Sequence, residues 1–346
     1  MPTTSARLLD ALLRSIADLP PAQISKVESA ITTARRRAEA AVEIDAIGEV
    51  RPCPRCGGHH RISWGTTRSG ARRLRCKDCE LTWTGRTGTP LAGIRRPDLF
   101  IELLRNMFEG ESPWSCRKAA TKLGISRDTA WRWRIAVIGL LSPEKPGALA
   151  GIVEADEARQ RESRKGSREW SRHRADPLAV AKPPREPWVF YTKRNATIKA
   201  PPGGWQAWNK NLLAITDRAG HRAFEAIDNV GEKAVSTALL PTMAPDAVLC
   251  TDGHATYKGI AKATGITHFA LNAGRRCRRT PKTHHINTVN SLIGRYRAFV
   301  KPFCGPASRY LLAYGRWHAA RENTDRNYLS IFKRFLEQPH SANTLC

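Results

Sequence analysis

The stretch Gly151-Ile-Val-Glu-Ala-Asp-Glu157 reads as a β-strand that carries acidic side chains among apolar ones. Because side chains alternate between the two faces of a strand, Glu154 and Asp156 share one face, and Val153 and Ala155 share the other. Taken alone, this pattern also fits an exposed edge strand. The segments that follow decide between the two interpretations.

The segments after this strand predict an α/β domain over residues 148–325. A hairpin, a helix, a buried strand, a further short strand and a last helix follow in that order. Their expected ranges are 212–218 and 222–228 for the hairpin, then 232–240, 247–253, 267–271 and 285–301. Strand, hairpin, helix, strand, helix is the order of an RNase H-like domain.

In such a sheet, Asp156 on the first strand and Asp252 at the end of the fourth would lie side by side. Two carboxylates this close repel each other unless a divalent metal bridges them. Two Mg²⁺ or Mn²⁺ ions there would activate a water or a 3′-hydroxyl for attack at phosphorus. Without this context, Asp252-Gly253 would be an ordinary turn and Asn290 a surface residue of a helix.

Upstream of the sheet, Cys53-Pro-Arg-Cys56 and Cys76-Lys-Asp-Cys79 are separated by 19 residues. This spacing is typical of a zinc ribbon, here expected over residues 49–90, with a structural Zn²⁺ held by four thiolates. The alternatives are chance pairs or disulfides. The absence of an expected export signal argues against disulfides.

Residues 95–142 predict a helix-turn-helix. The small pair Ala119-Ala120 lets two helices approach, Gly124 suits the tight turn, and Ser126 caps the second helix. The alternative is a plain helical connector. The side chains that the second helix would present to the major groove are Arg127, Thr129, Arg132 and Arg134.

The N-terminal segment 1–48 reads as two helices broken at Leu19-Pro20-Pro21. Apolar residues follow one another on the second helix at alternating spacings of three and four: Ile24, Val27, Ile31, Ala34, Ala38 and Ala41. This stripe either closes a hairpin on Leu8, Leu9, Leu12 and Ile16 or forms a self-association surface.

The charge of the chain points to a polyanionic partner, most often nucleic acid. The 346 residues include 57 basic and 31 acidic ones, for a net charge of +26. Residues 1–50 hold six basic and seven acidic residues, so the rest of the chain carries +27. A hydrophobic content of 41% excludes a disordered basic tail. Neither a membrane-spanning stretch nor a signal peptide is expected.

Two further stretches combine basic residues in ways that suit DNA contacts. The insertion 159–209 interleaves tryptophans with basic residues, and the alternative is a solvated loop whose tryptophans cover the sheet. Its basic residues include Arg164, Lys165 and Arg168, and its tryptophans are Trp170, Trp188, Trp205 and Trp208. The second stretch, just before the last helix, contains Arg275, Arg276, Arg278 and Arg279.

From about Arg51 to Glu322 the chain resembles a group of bacterial insertion-sequence transposases with an Asp-Asp-Glu or Asp-Asp-Asn triad behind a zinc ribbon. The resemblance rests on the strand 151–157 and on the motifs Ser163-Arg-Lys-Gly-Ser-Arg168, Leu249-Cys-Thr-Asp-Gly-His-Ala-Thr-Tyr257, His285-Ile-Asn-Thr-Val-Asn290, Phe303-Cys-Gly-Pro-Ala-Ser-Arg-Tyr-Leu311 and Tyr314-Gly-Arg-Trp317. It implies a multidomain chain with a retroviral-integrase-like catalytic domain and a tail at 326–346.

The resemblance implies that Asp156, Asp252 and Asn290 bind the catalytic Mg²⁺ or Mn²⁺. The Asn branch of the family, the DDNK branch, has Lys seven residues after its Asn, and here that position is Arg297. An Asn ligand offers a neutral oxygen and leaves the site with one less negative charge. Glu154 would then be a supporting or substitute carboxylate.

The implied function is transposition: the ribbon and helix-turn-helix bind terminal inverted repeats, and the catalytic domain cleaves the DNA and joins it to a target. A homo-oligomer in the bacterial cytoplasm, associated with the nucleoid and not with a membrane, is expected. Two alternatives remain open. One is a DNA-binding regulator derived from an inactive transposase, and the other is a metal-dependent nuclease or resolvase without strand transfer.

Overall fold

The computed structural model describes residues 4–67, 70–141, 149–183, 209–271, 283–323 and 327–337. The chain divides into two compact units. One consists of residues 1–103 and 332–346, and the other of residues 104–331.

The first unit begins with two helices, α1 (Thr4–Ala17) and α2 (Pro21–Val50), as the sequence predicts. The break falls at Pro20 and Pro21, because proline lacks the N–H that a continuous helix needs and is well suited to a first turn. The C-terminal part of α2 is buried at Ala40, Ile44 and Gly48. A Cβ on Gly48 would lie 2.8 Å from the Cα of Gly85, so only glycine permits this approach.

The predicted apolar stripe of α2 does not close a hairpin. Ile31 is 59% exposed, and on α1 Leu9 and Leu12 are 54% and 56% exposed. The hairpin interpretation is therefore wrong for these residues, because the buried face of α2 is a different one, centred on Ile44. The side chain of Leu8 lies outside the described residues.

A three-stranded antiparallel sheet follows, with strands β1 (Arg61–Thr66), β2 (Arg72–Cys76) and β3 (Thr82–Trp83) in that order. Its small core contains Leu74 and Trp83 beside two buried cysteines, Cys53 and Cys76. The backbone N–H of Arg72 donates to Asp45 of α2 at 3.1 Å. The helix α3 (Pro97–Phe108) comes next in the chain.

The second unit contains the helices α4 (Cys116–Leu123) and α5 (Arg127–Gly139). Ser115 Oγ accepts from the Lys118 N–H at 3.2 Å, and Ser126 Oγ accepts from the Thr129 N–H at 2.9 Å. Gly124 ends α4 with φ of 63°, a left-handed conformation that favours glycine. The two helices and the turn thus form where the sequence predicts them.

The same unit holds a five-stranded sheet in the order β6-β5-β4-β7-β8. The strands β4, β5 and β6 are antiparallel, whereas β7 and β8 run parallel to β4. Their ranges are Ile152–Arg161, Asn209–Asp217, Arg222–Ile227, Val248–Thr251 and His268–Ala270. The α/β prediction is confirmed and the five strands follow one another as expected, but the helix Ala255–Thr264 between β7 and β8 was not predicted.

Helices cover both faces of this sheet. After the short α6 (Glu169–Ala175), α7 (Glu232–Leu239) and α8 (Ala255–Thr264) pack with Val153 and Ala155 of β4 in a common core. On the other face, Phe224 of β6 lies 5.0 Å from the ring of Tyr296 and 5.9 Å from that of His318. These two residues belong to α9 (Asn287–Val300) and α10 (Leu311–Asn323). The last helix is α11 (Tyr328–Glu337).

None of the described helices is long and apolar enough to cross a membrane.

Candidate active site and metal centre

The two candidate aspartates belong to neighbouring strands of the five-stranded sheet, with Asp156 within β4 and Asp252 directly after β7. In the parallel ladder of β4 and β7, Glu154 pairs with Cys250. Asp156 and Asp252 each follow two residues further along, where β7 ends. Because parallel strands run in step, this register brings the two carboxyl groups to neighbouring positions. This register agrees with the sequence-based expectation that the two aspartates lie side by side.

The electrostatics of Asp156 show which charges surround it. Burial raises the pKa of its carboxyl group, and the nearby charges of Glu157 and Asp252 raise it further. The Glu157 N–H, which donates to Asp156 Oδ1 at 2.7 Å, and the Arg297 guanidinium act in the opposite direction. Two further acids and one arginine, from β4, the end of β7 and α9, thus act on the charge of Asp156.

A buried tyrosine ties the Asp252 loop to β4. Tyr257 lies in the first turn of α8, directly after this loop, and its hydroxyl donates to Glu157 Oε1 at 2.6 Å. Burial raises the pKa of Tyr257, and the charges of Glu157, Asp156 and Asp252 raise it further. The hydroxyl therefore stays protonated and serves as a hydrogen-bond donor.

Glu154 ties the N-terminus of α9 to β4. Its side chain is 1% exposed, and its Oε2 accepts from the backbone N–H of Val289 at 2.9 Å. Its Oε1 lies 2.8 Å from Arg218 Nη2 and 3.4 Å from His285 Nδ1. With Oε2 hydrogen-bonded to α9 and Oε1 paired with Arg218, Glu154 fits the expected supporting carboxylate better than a substitute metal ligand.

Asn290 directly follows Val289 in the first turn of α9 and is exposed. Arg297 lies seven residues further, almost two full turns, so both side chains share one face of the helix. Since Arg297 acts on the charge of Asp156, this is the face of α9 that is turned to the acids.

The donor set of this site fits a divalent cation such as Mg²⁺ or Mn²⁺. Two aspartates and an asparagine offer the hard oxygen ligands that such ions prefer. Burial, and after it the charges of Glu157 and Asp252, raise the pKa of Asp156, and a bound cation would neutralise this negative charge. Arg297 compensates this charge only in part.

The four cysteines of the first unit come together. Their Sγ atoms all lie within 4.8 Å of one another, with 3.5 Å between Cys53 and Cys79 and 3.6 Å between Cys56 and Cys76. A disulfide would be about 2.05 Å long. The edge of a tetrahedron with Zn–S distances of about 2.3 Å is about 3.8 Å, so the cluster fits a zinc ion.

The residues predicted to contact DNA from α5 differ in accessibility. Arg127 and Arg132 are exposed, and Thr129 is half-buried. Arg134 is 1% exposed, and its guanidinium donates to Cys116 Sγ and to the Trp114 carbonyl. It cannot reach a DNA groove, and its prediction as a DNA contact is wrong. Helical spacing explains this, because Arg134 follows Ala130 by four residues on the buried face of α5.

Among the basic residues of the insertion, Arg164 forms ion pairs with Glu162 and Glu169 and is mostly buried. It therefore acts as a structural residue. Lys165 and Arg168 are exposed. The cluster Arg275, Arg276, Arg278 and Arg279 lies outside the described residues, as do Trp188, Trp205 and Trp208.

The supporting residues Tyr257 and Arg218 are not recognisable as such from sequence reasoning. One signal could have found the role of Glu157. Alternation along β4 places Glu157 on the same face of the strand as Val153 and Ala155. The helix α8, which carries Tyr257, packs on that face.

A family model described as the ISXO2-like transposase domain matches residues 148–323, just over half of the chain. The chain belongs to this transposase family, in agreement with its α/β sheet. No curated protein matches the sequence.

Proposed function

We propose that this protein is a DNA transposase that cleaves the ends of an insertion sequence and joins them to target DNA. Its catalytic unit would be an RNase H-like domain. The observation that carries the proposal is the parallel register of β4 and β7, in which Asp156 within β4 neighbours Asp252 directly after β7, with Arg297 acting on the charge of Asp156.

We infer that Asp156, Asp252 and Asn290 hold the divalent cation. When bound, Mg²⁺ or Mn²⁺ polarises the phosphate and activates the attacking water or 3′-hydroxyl. Asn290 contributes a neutral oxygen, which leaves room for the negative charge of the DNA phosphate. Arg297 binds and orients that phosphate through its guanidinium, in the place where the family's Asn branch has a lysine.

DNA recognition would come from the cysteine cluster and from the α4–α5 pair. The four cysteines would bind a structural Zn²⁺ that fixes β1, β2 and β3 as a zinc ribbon. The helix α5 would enter the major groove with its exposed side chains Arg127 and Arg132, with Thr129 at its edge. The capped turn between α4 and α5 supports this assignment.

Two copies would be needed to hold two element ends, and we propose that they associate through the exposed stripe of α2. This stripe keeps a coiled-coil spacing from Ile24 to Ala41. Residues 1–50 carry a net charge of −1 while the rest carries +27, so two copies repel each other least through this segment. For the same reason, nucleic acid is a poor partner for it.

A cleavage and strand-transfer assay tests the activity. It uses the purified protein, end-labelled element DNA and a plasmid target, with Mg²⁺ or Mn²⁺. Asp156→Ala and Asp252→Ala should each abolish cutting and joining. Asp246→Ala is the matched control. Asp246 is an exposed aspartate two residues before β7 begins, so this variant should leave cutting and joining unchanged.

The outcomes separate the alternatives that the sequence leaves open. Binding of the ends without cutting under either metal would contradict the enzyme and favour a DNA-binding regulator. Cutting without joining would favour a nuclease or resolvase.

A further inference from the structure

Aromatic and basic side chains link α5 to the loop before α10, both within the second unit. Trp131 on α5 is 40% exposed, and its ring meets that of Tyr310 edge to face, with centroids 6.1 Å apart. The guanidinium of Arg309 lies over the ring of Tyr310, 4.9 Å from its centroid. A large apolar side chain on a helix of a basic protein is thus exposed next to an arginine.

The same loop is fastened to the segment that follows β4. The Ser308 N–H donates to the Ser163 carbonyl at 2.8 Å, and the Ser163 N–H donates to Ser308 Oγ at 2.8 Å. Lys165 Nζ donates to the Gly305 carbonyl at 2.9 Å. Gly166 lies directly beside Arg309, since a Cβ there would come within 3.2 Å of Arg309 Nη2. These contacts hold Lys165 and Arg309 in one region, and Arg168 follows Lys165 by three residues in the same segment.

The cations of this region are available to a ligand. Arg309, Lys165 and Arg168 are exposed. Among the described residues, the ion pairs of this region belong to Arg164, which binds Glu162 and Glu169. These two glutamates therefore already have a partner, and the three exposed cations keep their charge for another one.

The region follows the carboxyl end of β4, the strand that carries Asp156. Lys165 follows β4 at its carboxyl end, the edge where Asp252 follows β7. From Asp156 to Ser163 is seven residues, which span at most about 25 Å even when extended. DNA that lay along α5 and this region would therefore extend to the edge that carries the acids.

We propose that Trp131, Tyr310, Arg309, Lys165 and Arg168 form one DNA-binding surface, the Trp131–Arg309 surface, which carries duplex DNA from α5 to the catalytic edge of the sheet. The inference rests on the proposed function, because it assumes that α5 binds DNA. Arg309, Lys165 and Arg168 contact phosphates. Trp131 and Tyr310 pack their rings against the sugar and base edges between these phosphates.

Fluorescence anisotropy of labelled DNA measures how tightly the full-length, zinc-loaded protein binds. The buffer contains no EDTA, so that the zinc is retained, and no Mg²⁺ or Mn²⁺, so that binding is measured without cleavage. The probe is a duplex of about 30 base pairs from the element end, three helical turns, and a salt titration gives the slope of log K against log salt. Arg309→Ala should reduce this slope by about 0.9, the value for one lost phosphate contact. Arg309→Lys should restore it.

Two further measurements make the result specific. Trp131→Ala should weaken binding at least about fivefold with an unchanged slope, because it removes packing and no charge. On a duplex of about 10 base pairs, long enough for α5 alone, Arg309→Ala should have no effect. Lys262→Ala is the matched control, since Lys262 is an exposed cation in the last turn of α8, the helix that leads from the end of β7 to the start of β8.

The proposed surface would be overturned if Arg309→Ala left the salt slope unchanged, or if Lys262→Ala reduced that slope equally. The proposed activity would still stand if the wild-type protein cut and joined DNA. Conversely, a protein that binds through the surface but neither cuts nor joins with metal would contradict the proposed activity alone. Wild-type protein that binds neither duplex would overturn both.

Discussion

The backbone N–H of Val289 donates a hydrogen bond of 2.9 Å to the buried carboxylate of Glu154, two residues before Asp156. A side chain of β4 is thus hydrogen-bonded to the first turn of the helix that carries Asn290. Negative charge at a helix N-terminus is stabilising, and burial strengthens the effect. The same carboxylate is paired with Arg218. Glu154 therefore ties the first turn of α9, which carries Asn290, to the strand that carries Asp156.

Glu154→Ala should lower the free energy of unfolding by about 2–4 kcal/mol, because it leaves the Val289 N–H and part of Arg218 without an acceptor. Urea denaturation measures this loss. Glu154→Gln keeps an acceptor of the same shape and should fold better. Its cleavage should require a higher concentration of Mg²⁺ for half-maximal rate, because α9 is held less firmly. An unchanged metal requirement in a folded Gln variant would contradict the positioning role.

Tyr257→Phe should reduce cleavage about tenfold or more, because it removes the hydrogen bond that holds the Asp252 loop against β4. Stability should fall by about 1.5–3 kcal/mol, as for a lost hydrogen bond to a charged group. Tyr296→Phe is the matched control. Tyr296 is also buried, but its hydroxyl has no hydrogen-bond partner among the described residues, so its loss should cost little. Equal effects of the two variants would refute the role of Tyr257.

Strand periodicity is sufficient to predict the main features of the candidate site. Alternation along β4 places Glu154 and Asp156 on one face, and the expected order of the strands places Asp252 at the neighbouring strand end. The partners of Glu154 and Glu157 are not predictable in this way. They depend on which helix packs on each face of the sheet, and that choice depends on contacts between segments up to 135 residues apart in the chain.

The N-terminal helices also show that sequence spacing does not predict which segments pack together. The spacing of apolar residues on α2 predicts a stripe but not what covers it. The face that is buried instead, at Ala40, Ile44 and Gly48, is selected by the close approach of Gly48 to Gly85. For Arg134 the sequence does contain the signal, since its spacing from Ala130 and Val137 places it with the buried side chains of α5.

Arg134→Ala should destabilise the second unit by about 3–5 kcal/mol, because it removes a buried cation that lies over the rings of Phe303 and Trp317, at 4.9 Å and 5.6 Å. Arg132→Ala, on the exposed side of the same helix, should leave stability within about 0.5 kcal/mol and weaken DNA binding. Urea denaturation and anisotropy, measured on both variants, separate the two roles. A stable Arg134→Ala protein with weakened DNA binding would contradict this division.

The cysteine cluster should bind one zinc ion per chain, measured by elemental analysis of the purified protein. Cys53→Ser and Cys76→Ser should each lose the metal, because a tetrahedral site with three thiolates binds far more weakly. Their first unit should then be cleaved by protease near β1 and β2. Cys304→Ser, at an exposed cysteine of the second unit, should retain full zinc content. Zinc that persists in both cluster variants would contradict the site.

Association of two copies through α2 is tested by Ile31→Glu. Ile31 is 59% exposed at the centre of the stripe, and a carboxylate there would be buried without a partner in a coiled-coil seam. Sedimentation equilibrium should therefore show a dimer for the wild-type protein and a monomer for the variant, with unchanged secondary structure. Ser29→Glu adds the same charge to an exposed position on the opposite side of α2, and it should remain dimeric. If both variants stay dimeric, the copies associate through another surface, and the near-neutral segment must have a different partner.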